Sequence, residues 1–124
     1  MNFVRTIADE IEELVDTWLY LADVAQQLGI DAARARQLIR DHHLAAVRRG
    51  ENNALAVPAD CIMNGKVVKG LPGTLTVLSD AGYSDEESLR WLHTPDDSLP
   101  GTPIDALREN RGTEVKRRAQ AMGF

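Results

Sequence analysis

From Phe3 to Trp18 the apolar residues Phe3, Val4, Ile7, Ala8, Ile11, Leu14, Val15 and Trp18 recur at three- and four-residue steps, with Arg5, Asp9, Glu10, Glu12, Glu13 and Asp16 between them. That spacing predicts one amphipathic helix, and its stripe, close to heptad spacing, offers either a face docked on the domain or the seam of a homodimer. Leu21–Leu28 predicts a second, short helix stopped by Gly29, since glycine adopts the left-handed conformation at a helix end without steric cost. Asp31 then suits the N-cap of a third helix running to about His42. Two helices joined this tightly form a helix-turn-helix. Small Ala25 falls where the pair would cross, and Val24, Leu28, Ile30, Ala35 and Leu38 supply the apolar positions that hold it together.

After Leu44 the period changes. "LAAVRRGENNALAVP" has two short apolar runs around "GENN", closed by Pro58, and predicts a β-hairpin. A hairpin after a helix-turn-helix is a wing. Downstream come a glycine-punctuated segment, "MNGKVVKGLPG", with strand content near Lys66–Lys69, and then short helices. One runs from Thr74 to Ala81 and ends at Gly82, and one is opened by a Ser84/Glu87 capping box and closed by Pro95. A third starts at Thr102–Pro103, and the last runs from Thr113 to about Met122. The expected fold is mainly α with a small β-hairpin wing: an N-terminal amphipathic helix (1–18), a winged helix-turn-helix (19–62) and a C-terminal helical domain (63–124).

Charge sharpens this picture. The chain of 124 residues has a formal net charge of -5, yet residues 24–70 carry seven bases and four acids, while 1–23 and 71–124 are both acidic. Five arginines, Arg34, Arg36, Arg40, Arg48 and Arg49, fall inside that basic third. At 100° per residue the third helix turns Ala35, Leu38, Ile39 and His42 inward, and Ala33, Arg36, Gln37 and Arg40 outward with Arg34 on a flank. Arginine can bind guanine bidentately, glutamine can pair with adenine, and Ala33 can pack on a thymine methyl. The expected partner is therefore double-stranded DNA, with the helix in the major groove and Arg40 on a phosphate. Strand alternation turns one of Arg48 and Arg49 to the DNA and the other to the body. Lys66 and Lys69 are further phosphate candidates.

Catalytic and metal readings find little support. His42 and His43 diverge by about 100° if helical, His93 is remote, and Asp96 and Asp97 follow Pro95 as turn formers. Cys61 is the single cysteine, which precludes an intrachain disulfide and a cysteine-based zinc cluster. No enzyme activity, metal or cofactor is expected. The acidic start lacks the features of a signal peptide, and no apolar run is long enough to span a bilayer, so the expected location is the cytoplasm.

The run "WLYLADVAQQLGIDAARARQLIRDHHLAAVRRGENNALAVP" is similar to the excisionase-like and MerR-like winged helix-turn-helix group. Together with the rest of the chain, including "RWLHTPD" and "RRAQAM", it resembles a small actinobacterial DNA-binding family that joins such a module to a helical C-terminal domain. The resemblance, from Trp18 to Phe124, implies DNA binding through the second helix of the motif and the wing, and the expected role is that of a transcriptional regulator or a nucleoid-type DNA-binding protein. Some members are substrates of a membrane Ser/Thr kinase within a disordered N-terminal tail. This chain departs there, since "MNFVRTIADEIEELVDT" reads as helix with Thr6 and Thr17 in or beside it. "WLHTPDDSLPGTPIDAL" followed by "GTEV" also resembles the toxin-binding domains of certain antitoxins, which keeps a protein partner of the C-terminal domain as the alternative. Trp91, Pro95, Gly101 and Pro103 are first expected to serve packing.

Overall fold

A computed structural model describes residues 5–123. Thr6 opens the first helix, α1 (Ile7–Leu14), through a capping box: its hydroxyl accepts from the Asp9 amide at 3.1 Å, and the Asp9 carboxylate accepts from the Thr6 amide at 3.2 Å. The helix does not reach Trp18 as its periodicity predicts, because Val15 is already extended. Trp18–Tyr20 instead forms a strand, β1, and Phe3 and Val4 lie outside the described residues. Apolar spacing fits helix and strand alike over so short a stretch; pairing decides it. Trp18, Leu19 and Tyr20 lie antiparallel to Pro58, Val57 and Ala56, filling one edge of a sheet with residues that suit a pleated surface.

Next come α2 (Leu21–Leu28) and α3 (Ala32–Arg40), separated by a turn at Gly29 with φ 68°. The Ile30 amide donates to the Ala25 carbonyl at 3.0 Å and the Gly29 amide to Gln26 at 3.2 Å, a Schellman termination. Asp31 Oδ1 then accepts from the Arg34 amide at 2.8 Å. The predicted extension of α3 to His42 fails: the helix stops at Arg40, and His42 turns left-handed with φ 60°. The wing strands β2 (Val47–Arg49) and β3 (Ala54–Pro58) pair in register, Val47 with Ala56 and Arg49 with Ala54. With β1 they make a three-stranded sheet in the order β1-β3-β2, one strand more than a hairpin.

A 3₁₀ turn (Ala59–Cys61) leads into a second hairpin, β4 (Ile62–Met63) and β5 (Lys66–Val67), turned at Asn64 and Gly65, both with positive φ. Four helices complete the chain: α4 (Leu71–Asp80), α5 (Asp85–Leu92), α6 (Pro103–Arg108) and α7 (Gly112–Ala121). Capping boxes at Ser84/Glu87 and Thr102/Asp105 open α5 and α6 as their sequences predict. The fourth helix starts at Leu71 rather than Thr74, with Pro72 in its first turn.

One hydrophobic cluster runs through the whole chain, from Ile11, Val24, Ala35 and Leu44 into Leu71, Leu89, Leu92, Ile104, Leu107 and Val115. Ile11 is only 2% exposed, Val15 is buried and α1 packs on α5, so these two residues of the stripe are used within the chain. Trp91 packs against the same core and Pro103 is buried in it, consistent with packing roles. No helix among the described residues is long and apolar enough to cross a membrane.

Candidate nucleic-acid interface

Helix α3 presents the predicted faces. Ala35 is fully buried, and Leu38 and Ile39 are half-buried against the core, which leaves Ala33, Arg34, Arg36 and Arg40 exposed on the other side. Gln37 is half-buried, and its Nε2 donates to Asp41 Oδ1 at 2.9 Å. To read a base it would have to leave that acceptor.

On the wing the two arginines divide. Arg48 is exposed, and its Nη1 donates to the Asn53 carbonyl at 3.0 Å across the turn. Gly50 and Asn53 both have positive φ there, so the turn holds the two ends together. Arg49 faces the body: Nε and Nη2 donate to the two carboxylate oxygens of Glu12 at 2.6 and 2.7 Å, and the guanidinium lies 4.8 Å from the centre of the Trp18 ring. The hydrogen bond from Arg49 holds the Glu12 carboxyl below its ordinary value. Among the described residues, no carboxylate lies within ion-pair distance of Arg34, Arg36, Arg40 or Arg48. Arg49 is thus anchored, and it is set apart from the four others with which the sequence grouped it.

Between α3 and the wing lies a concavity lined by Tyr20, Leu21, Arg36, Arg48, Asn52, Asn53, Ala54 and Leu55. Tyr20, 38% exposed, sits at the join of β1 and α2, with its hydroxyl 3.4 Å from Arg49 Nη1. Sequence reasoning missed Tyr20 and Asn52 as parts of this surface. The signal was the β-prone triplet Trp18-Leu19-Tyr20, hidden inside an apparent helix period. Lys66 is exposed on β5 and Lys69 lies in a separate depression with Gly70, Asn110, Thr113 and Lys116, and neither lysine lines this concavity.

Two further polar side chains are engaged elsewhere in the fold. His42 Nε2 lies 3.4 Å from Ser79 Oγ, and Thr6 is occupied as a helix cap. Burial pushes the Cys61 thiol up, so it stays neutral. Among the described residues no three His, Cys, Asp or Glu side chains converge as metal ligands would.

Comparison with known proteins gives two family matches that tile the chain. The family described as the winged helix-turn-helix domain of DNA-binding protein Rv2175c matches residues 8–62, and the Rv2175c C-terminal domain of unknown function matches residues 68–123. The chain is 44% identical over 117 residues to "DNA-binding protein Rv2175c" of Mycobacterium tuberculosis (strain ATCC 25618 / H37Rv), covering 84% of this chain and 79% of that protein. It also matches the NMR structure of Rv2175c with a TM-score of 0.79 and 41% identity, over 88% of this chain and 82% of that one.

Proposed function

Since the chain belongs to the actinobacterial Rv2175c family of winged helix-turn-helix proteins, we propose that it binds double-stranded DNA and acts as a transcriptional regulator. Helix α3 enters the major groove, where Ala33, Arg36 and Gln37 meet base edges. Arg34 and Arg40 hold phosphates at its flanks, and Arg48 on the wing reaches the adjacent backbone. Arg49 is left out of the contact set because Glu12 already satisfies it.

One observation carries the reading: four exposed arginines without carboxylate partners share the α3 and wing surface of a chain whose formal net charge is -5. Leaving those charges bare stabilises nothing in the fold, whereas a polyanion supplies their partners. The acidic remainder of the chain repels DNA and so favours one docking orientation.

Fluorescence anisotropy of a labelled duplex across a salt series, with wild type and the Arg36→Ala/Arg40→Ala variant, tests it. Salt-dependent binding that the variant loses is expected. Binding by neither protein at low salt would refute it.

A further inference from the structure

The wing and the recognition helix are tied to the C-terminal helices at several points. His42, just past α3, meets Ser79 of α4, and the Ala46 amide, leading into β2, donates to Asp85 Oδ2 at 3.1 Å. At the base of the wing, Arg108 Nη1 of α6 donates to the carbonyls of Asp60 and Ile62 at 2.8 and 3.2 Å. Beside it His93, at the end of α5 and only 4% exposed, stands with Nδ1 2.8 Å from the Leu89 carbonyl and Nε2 3.0 Å from both oxygens of Asp60.

A carbonyl and an ionised carboxylate can only accept, so both bonds form together only when both ring nitrogens carry protons. The geometry therefore selects an imidazolium, and a buried cation needs a paired anion, which Asp60 supplies. We propose that His93, Asp60 and Arg108 are positioning residues: they form a lock by which the C-terminal helical unit fixes the wing relative to α3, closed while His93 is protonated.

The other charged groups around the lock are few. Asp105 and Arg108 face it from α6, and Asp16 borders the groove that Asp60 and Arg108 share. Cys61 beside Asp60 is a neutral thiol, and Arg90 on α5 is paired with Glu10 of α1 at 3.4 Å. Burial pushes the His93 imidazolium toward deprotonation, but the hydrogen bond and charge of Asp60 outweigh it, and the group is held above its ordinary value. The lock is closed below the ordinary histidine range and opens as pH rises through the raised value. It gives a function to a region whose family description assigns none, and its consequence for affinity rests on the DNA-binding reading above.

The test uses the full chain as wild type, His93→Gln and Asp60→Asn, from about pH 5.5 to about 8.5, a span around the histidine range. Ring-nitrogen NMR of histidine-labelled protein reports the protonation of His93, amide exchange at Ala56 and Val57 reports the wing, and anisotropy reports duplex affinity. Expected are a His93 that is doubly protonated at the acid end of this span and a wild-type affinity that falls about fivefold as His93 loses a proton with rising pH. That step should be absent in His93→Gln and moved to lower pH in Asp60→Asn, which also serves if His93→Gln does not fold. His42 and His43 remain in every variant, so the difference isolates His93.

A His93 that is singly protonated even at about pH 5.5, below the ordinary histidine range, or parallel affinity profiles for wild type and His93→Gln, would overturn the lock. If wild type binds no duplex at any pH, the DNA reading falls, and the lock is judged by its own signals. Protection at Ala56 and Val57 lost as His93 titrates supports it; unchanged protection overturns it.

Discussion

Arg48 and Arg49 are neighbours of identical chemistry in opposite settings, one exposed and one paired with Glu12, and on the proposed DNA-binding reading one pair of alanine substitutions separates them. If Arg34, Arg40 and Arg48 each neutralise one phosphate, a contribution of about 0.9 per contact gives a slope of log affinity against log salt of about -2.7. Removing Arg48 brings it to about -1.8, so the loss of affinity between about 50 and 200 mM salt falls from about 40-fold to about 12-fold. Stability should hardly change, because Arg48 gives up a single exposed bond to the Asn53 carbonyl. Arg49→Ala acts the other way. It removes a bidentate pair to Glu12, whose side chains are 24% and 50% exposed, and a cation packed on Trp18. Solvent screening limits the pair to about 1 kcal/mol and the ring contact to about 0.5 kcal/mol. For a chain of this length the unfolding entropy is about 0.26 kcal/mol/K, so the melting temperature falls by about 6 °C while the salt slope stays near -2.7. Calorimetry and anisotropy on the same preparations check both numbers, and Glu12→Gln, which leaves Arg49 on Trp18, should lower the melting temperature by about 4 °C. A lowered slope with an unchanged melting temperature for Arg49→Ala would refute the division of roles.

The fold makes further predictions. Ile11→Ala should cost about 2–4 kcal/mol in denaturant unfolding and leave the sedimentation behaviour unchanged, because Ile11 lies in the core rather than on an intermolecular seam. At Gly29 an added Cβ meets nothing within 4 Å, so Gly29→Ala carries only the left-handed backbone cost of about 1 kcal/mol, read as a fall in melting temperature. The Glu12–Arg49 pair lowers the carboxyl pKa, so its contribution is complete above the ordinary glutamate range and disappears as pH falls through the lowered value. Melting curves of wild type and Glu12→Gln should accordingly converge in acid.

The helix-turn-helix was legible because its determinants are local. Gly29 ends a helix by its own backbone freedom, Asp31 caps the next through a side chain three residues from its partner amide, and the Ser84/Glu87 box works at the same range. Such features depend on residues adjacent in sequence, so reading them requires no knowledge of the rest of the fold. The outward set on α3 was legible for the same reason, as helical period fixes which side faces away once the apolar side is known. Trp18 defeated the same logic, since a residue at a helix-compatible interval was drawn into a strand by a partner forty residues away, Pro58.

By itself, then, the sequence determined the helix-turn-helix, the wing hairpin, the Asp31 and Ser84/Glu87 caps, the outward face of α3 and the concentration of positive charge in the middle of the chain. Tertiary structure decided which of those charges are free. Arg49 is spent on Glu12, thirty-seven residues earlier, and His93 becomes a buried double donor only because Asp60 and the Leu89 carbonyl converge on it. The physical reason is that pairing and burial depend on distance in space, and the packing of α1 and α5 around the wing sets those distances.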